Sequence, residues 1–121
     1  MESLSSSELK VMNLIWNNDV ELNSKDITTT FEKKYKTTKA TTMTFLKRLE
    51  KKGYITSKKI GRVTEYKVEI TKEKFINTSF NEYINKIYKG SVNNFLKSLI
   101  KSGSLSDLEI EELINKLKKK T

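Results

Sequence analysis

A chain of 121 residues with 36% apolar and 32% charged side chains fits one domain, or a small domain with an oligomerising appendage. Lacking cysteine and histidine, it can form no disulfide, no thiolate metal site and no Ser-His or thiol nucleophile. Its net charge of +9 lies almost wholly in residues 33–62, where eleven Lys and Arg accompany one acid, Glu50.

Such a confined surplus is the footprint of a surface that binds a polyanion, nucleic acid first. An anionic membrane surface fits less well, because no long helix pairs this charge with an inserting aromatic face. No apolar run approaches a membrane span, and residues 1–6 hold no apolar secretion core. A soluble cytoplasmic protein is expected.

Ser5-Ser6-Ser7-Glu8 reads as a capping box, with Leu4 and Leu9 spaced as a hydrophobic staple around it. The helix it opens runs to about Trp16 and presents Val11, Met12, Ile15 and Trp16. Because Trp16 continues that stripe, it is read as core rather than as a stacking platform for bases. Residues 20–22 are long enough for one short strand. Asn23 caps a second helix, residues 24–35, with Asp26 near its start and Ile27 and Phe31 inward.

A third helix, residues 38–52, has Thr38 as N-cap and Gly53 just beyond its end. At 3.6 residues per turn, Thr42, Phe45, Leu46 and Leu49 form its core stripe. Ala40, Met43, Thr44, Lys47 and Lys51 lie opposite, flanked by Thr41 and Arg48. Small, hydroxylated and cationic residues suit a helix lying in a DNA major groove, although a solvated surface helix would look similar. After Gly53 the period drops to two: residues 54–59 and 63–70 alternate as strands around the turn Ile60-Gly61-Arg62. Helix, short strand, helix, helix, hairpin is the order of a winged helix-turn-helix, whose third helix enters the major groove. On this reading Thr41 and Thr44 read or approach base edges and Met43, if exposed as the wheel suggests, contacts a thymine methyl. Ala40 allows close approach, while Lys39, Lys47, Arg48, Lys58, Lys59 and Arg62 clamp phosphate.

Residues 1–71 are thus assigned to a DNA-binding domain and 72–121 to a helical dimerisation region, giving a mainly α fold with a small β-hairpin. The second part holds three helices. Residues 72–88 carry Ile84 and Ile87, and residues 91–102 carry Val92, Phe95, Leu96, Leu99 and Ile100. The last helix opens at a second capping box, Ser106-Asp107-Leu108-Glu109, and carries Ile110, Leu113, Ile114 and Leu117. Helices this short enclose little core alone, so two interleaved copies are expected to bury these faces. Packing back on the first domain is the competing arrangement.

Catalytic residues, metal ligands and cofactor sites are not expected. Glu109, Glu111 and Glu112 cluster where a helix start stabilises carboxylates anyway, and no EF-hand spacing occurs. The glycines stand singly and form no phosphate loop.

Four stretches resemble, in order, the penicillinase and methicillin-resistance repressor family (BlaI/MecI/CopY). They are residues 4–16 (LSSSELKVMNLIW), 44–55 (TFLKRLEKKGYI), 83–90 (YINKIYKG) and 105–113 (LSDLEIEEL). The resemblance implies a homodimeric repressor with an N-terminal winged helix and a helical dimer arm. It also implies an inverted-repeat operator, usually with TACA and TGTA half-sites, before β-lactamase or related resistance genes. In that family a membrane β-lactam receptor with a cytoplasmic metalloprotease triggers cleavage of the arm, commonly at an Asn-Phe bond. The matching register falls on Ser98-Leu99 here, and Asn94-Phe95 lies one turn earlier. Two further departures are Met43, where the family often has a charged or amide side chain, and Ala40, where Lys is frequent. The copper-sensing branch uses C-terminal cysteines, which this chain lacks. A small-molecule-responsive winged-helix regulator and a winged-helix protein-interaction module share the charge map. Effector-dependent release without proteolysis would mark the first, and weak, sequence-indifferent DNA binding the second.

Overall fold

A computed structural model describes the backbone of residues 1–120 and their side chains, except those of Leu117 and Lys120. The element order is α1 (Ser6–Trp16), α2 (Ser24–Tyr35), α3 (Lys39–Lys51), β1 (Ile55–Ile60), β2 (Val63–Val68), α4 (Lys72–Tyr88), α5 (Val92–Lys101) and α6 (Asp107–Lys120). The fold is mainly helical with one antiparallel hairpin, as the alternation of periods predicts. Two compact units divide at Ile76/Asn77. No helix among the described residues is long and apolar enough to cross a membrane.

Local chemistry starts each helix of the first unit. Ser5 accepts from the Glu8 N–H (3.1 Å) while Glu8 accepts from the Ser5 N–H (3.0 Å), the reciprocal capping box. Asn23 and Thr38 cap α2 and α3 in the same way, each accepting from the N–H three residues on. Burial then fixes the faces. Val11, Met12, Ile15, Ile27, Phe31, Leu46 and Leu49 join Tyr54, Ile55 and Tyr66 in one core. Phe45 packs against its edge, with its ring 6.0 Å from that of Phe31. Trp16 is core-packed as expected. Its indole N–H donates to the Ile70 carbonyl (2.9 Å) and its ring lies 5.1 Å from Phe75. Since Phe75 also stacks on Tyr54, the first unit continues through the opening turn of α4.

Two local expectations shift. Residues 20–22 form no strand. The segment makes a single bridge, Asn23 with Glu65, and the Leu22 carbonyl accepts from the Tyr66 N–H (2.9 Å). The Asp26 carboxylate captures the Glu21 N–H (2.6 Å) and the Asn23 N–H turns back to the Glu21 carbonyl (2.8 Å), so these backbone groups are spent locally and no ladder extends here. The hairpin pairs Ile55 with Val68 through Ile60 with Val63, so its turn is only Gly61-Arg62. Gly61 takes φ +64 at the first turn position, the pattern of a type II′ hairpin, which excludes a β-branched residue.

The second unit is held more sparely. Phe80, Tyr83, Tyr88 and Phe95 meet edge to face at 5.3–6.3 Å. Ser91 caps α5, and Ser106 with Glu109 forms the predicted second capping box. Ile87, Val92, Leu96, Ile100, Leu113 and Ile114 remain exposed, and α5 has no buried residue.

Glu8 shows how the first unit is locked. Its side chain is 2% exposed and binds the Lys52 ammonium, which also donates to the Ser3 carbonyl (2.9 Å). Burial alone would raise the Glu8 pKa, but Lys52 and the Ser5 N–H outweigh it and hold the carboxyl below its ordinary 4.5. A depressed folded pKa means stability that is complete above pH 4.5 and lost as pH falls through the lower folded value. Glu8→Gln should therefore lower stability by about 2 kcal/mol at neutral pH. The gap from wild type should narrow in acid, as thermal melts across that range would show.

Candidate nucleic-acid interface

The buried stripe of α3 fixes which residues it displays. With Thr42, Leu46 and Leu49 anchored inward, Lys39, Ala40, Thr41, Thr44, Lys47, Arg48 and Lys51 are all exposed. Cations on such a face neutralise phosphate, and short side chains let the backbone approach base edges. Among the described residues Glu50 is the only acid on α3, and the first turn of that helix has none.

The two exposed threonines differ in what they offer a ligand. Thr44 donates its hydroxyl to the Ala40 carbonyl (3.0 Å), leaving lone pairs and a methyl facing outward. It is an acceptor, suited to an exocyclic amino group or, through its methyl, to thymine. Thr41 accepts from the Thr38 hydroxyl (2.9 Å), so its own hydroxyl proton can be donated to an acceptor such as phosphate or guanine O6. Thr38 was assigned only a capping role by sequence; its second hydrogen bond sets the polarity of Thr41.

Met43 departs from expectation. It is half-buried and packs against the core rather than standing fully exposed on the outer face. Its position borders the buried stripe, and helical side chains lean toward the preceding turn, which carries a flexible thioether inward.

On the wing, Lys58, Lys59 and Arg62 are exposed near the Gly61 turn, with Lys58 opposite Glu65 and Lys59 opposite Thr64. Wing and helix are joined at their bases: Glu50 of α3 accepts from both the N–H (3.1 Å) and the hydroxyl of Ser57 on β1. Ser57 pairs with Tyr66 of β2. Burial, reinforced by the Glu50 charge, pushes the Tyr66 phenol above its ordinary value.

In the second unit, the predicted association face separates into classes. Ile87, Val92, Leu96, Ile100, Leu113 and Ile114 are exposed, while Phe95, Leu99 and Ile110 are half-buried. Ile84 must be corrected. At 3% exposure it is buried within its own protomer, and its carbonyl accepts from the Gly90 N–H. The side chain of Leu117 lies outside the described residues. Ser98 is exposed on α5 beside Leu99.

Comparison with known proteins agrees with this arrangement. Residues 4–119 match the model of the penicillinase repressor family. The penicillinase repressor of Bacillus licheniformis is 30% identical over 110 residues, covering 91% of this chain and 85% of that protein. The methicillin resistance regulatory protein MecI of Mammaliicoccus sciuri is 32% identical over 125 aligned positions, covering 97% and 94%. Among solved structures, the DNA-binding domain of the repressor BlaI superposes with TM-score 0.54 at 31% identity, over 61% of this chain and 93% of that one. The Bacillus licheniformis BlaI monomer in complex with the blaP half-operator gives 0.51 at 32% identity, over 60% and 88%. A family match of this extent, on a chain whose first unit is a winged helix with a cationic third helix, makes the protein a member of the penicillinase repressor family.

Proposed function

We propose that this protein is a homodimeric transcriptional repressor of β-lactamase or related resistance genes. Each protomer sets α3 into a major groove, with Lys58, Lys59 and Arg62 of the wing on the flanking backbone. The helices from residue 72 onward hold the two reading heads in register, so half-sites lie about 34–36 Å apart or at a multiple of that spacing. The observation that carries the reading is the exposure of Ala40, Thr41, Thr44, Lys47 and Arg48 opposite the buried stripe of α3, with Lys39 exposed in its first turn. The relative solved with a half-operator is a monomer, which fits a first unit that reads a half-site and a second unit that adds affinity. Repressors of this family are not enzymes.

Relief comes from cutting the dimer arm, signalled by a membrane β-lactam receptor with a metalloprotease. The bond Ser98-Leu99 lies in α5, which has no buried residue and runs between Gly90 at φ +85 and Gly103 at φ +71. Within one protomer α5 is anchored only through half-buried Phe95 and Leu99, so the opening that presents extended backbone to a protease accompanies loosening of the paired face.

The test is a gel-shift series on a duplex carrying TACA and TGTA as an inverted repeat, on the same half-sites as a direct repeat, and on a scrambled duplex. The inverted repeat should bind at least about 1,000-fold more tightly than the scrambled sequence, the low end of specific recognition. Equal midpoints on all three would refute the reading.

A further inference from the structure

Glu50 is expensive where it stands. It is the only acid among residues 33–62, on the surface that meets phosphate, and it lies in the last turn of α3, where the helix dipole disfavours a negative charge. Both costs are offset by one geometry. Its Oε1 accepts from the Ser57 N–H and from the Ser57 hydroxyl, and so ties the end of α3 to the second residue beyond the start of β1. Ser57 is cross-strand from Tyr66, whose N–H reaches the Leu22 carbonyl ahead of α2. Lys58 follows directly.

We propose that Glu50 is a positioning residue for DNA recognition. By accepting both Ser57 donors, it sets the angle of the wing against α3, so that Lys58 and Lys59 reach the same duplex as Lys47 and Arg48. This rests on the DNA-binding reading above. The two-stranded wing is held along β2 by the Tyr66 N–H on the Leu22 carbonyl, the Asn23–Glu65 bridge and the Thr64 N–H on the Ser24 hydroxyl, whereas the Glu50–Ser57 pair ties its other strand, β1, to α3. Without the strut, β1 and its lysines lose their side-chain tie to α3, and the wing can pivot about the β2 anchors.

The charge makes the idea separable from a loss of fold. A loosened wing still finds phosphate on any duplex and the cationic surface has lost its one acid, so binding to a scrambled duplex should hold or rise, only the fixed geometry of the specific complex being lost, whereas misfolding lowers all binding. In full-length protein, Glu50→Ala should bind the inverted-repeat duplex about three- to tenfold more weakly while keeping its scrambled-duplex affinity. Lys58→Ala should cost about fivefold on the inverted repeat in the wild-type background and less than twofold beside Glu50→Ala. Glu50→Gln keeps an acceptor oxygen and should restore most of the coupling. Ser57→Ala removes one donor from the other side and should reproduce part of the loss.

Because the chain has no cysteine, spin labels on Lys51→Cys and Lys59→Cys give a reading that needs no DNA. Glu50→Ala should broaden their distance distribution. An equal Lys58→Ala penalty in both backgrounds, a parallel fall on both duplexes, or an unchanged label distribution would overturn the proposal. A wild-type protein that ignored both duplexes would overturn the DNA reading, and the label distances would still decide whether Glu50 holds the wing.

Discussion

Replacing Ile100 by Asp is expected to lower affinity for the inverted repeat by about 100- to 1,000-fold, with little change on an isolated half-site. Ile100 is 58% exposed on α5 and is flanked by Leu96, Leu113 and Ile114, each 45–46% exposed. A protomer tolerates a charge at such a position because nothing in its own core depends on it. A paired face does not, because a carboxylate there must be desolvated without a partner. When the pair separates, the second half-site is no longer bound intramolecularly, and avidity of about two to three orders of magnitude is lost. Leu99 would be a poorer choice because it is half-buried, and its substitution would mix damage to the protomer with loss of pairing. A monomeric Ile100→Asp protein with an unshifted gel-shift midpoint would show that the arm contributes nothing to operator binding.

Lys47→Ala should weaken binding to every duplex by about thirtyfold near physiological salt. Lys47 is exposed on the same face of α3 as Thr44. In a dimer the substitution removes two phosphate contacts, and each contact carries a slope of about −0.9 in log affinity against log salt. The magnitude of the salt slope should therefore drop by about 1.8, and the ratio of specific to non-specific affinity should hold. A variant that changed sequence preference while keeping its slope would mean that Lys47 reads a base. Thr44→Val should do the reverse. It removes the acceptor left by the bond to the Ala40 carbonyl, and it should alter preference at one position with the slope intact.

Much of this was legible from the residues because the signals are local. Each cap is a short side chain reaching an N–H three residues on, so Ser5, Asn23, Thr38 and Ser106 mark their helices without reference to the fold. The core stripe of α3 and the drop to period two after Gly53 are equally local.

Where tertiary competition decides, the pattern is silent. Met43 sits at the edge of a stripe, and the neighbouring core, not the wheel, draws it inward. Ile84 and Ile87 read alike in a helix rich in apolar residues. The turn at Gly90, returning a hydrogen bond to Ile84, accompanies burial of the first and exposure of the second. Residues 20–22 have strand composition, yet the Asp26 carboxylate and the Glu21 carbonyl take the Glu21 and Asn23 N–H groups that a ladder would need. Glu50 is the instructive case. A single acid in a run of cations is visible by inspection, but its partner Ser57 lies across a turn and a change of element.

The central claim is that two copies of this chain, joined through their C-terminal helices, grip one palindrome. Sedimentation equilibrium of the full-length protein, alone and with the inverted-repeat duplex, measures it directly. The account predicts a dimer in solution and two protomers per duplex, taken up in a single step. A monomer that loads the two half-sites independently, each with the affinity of the isolated half-site, would contradict it.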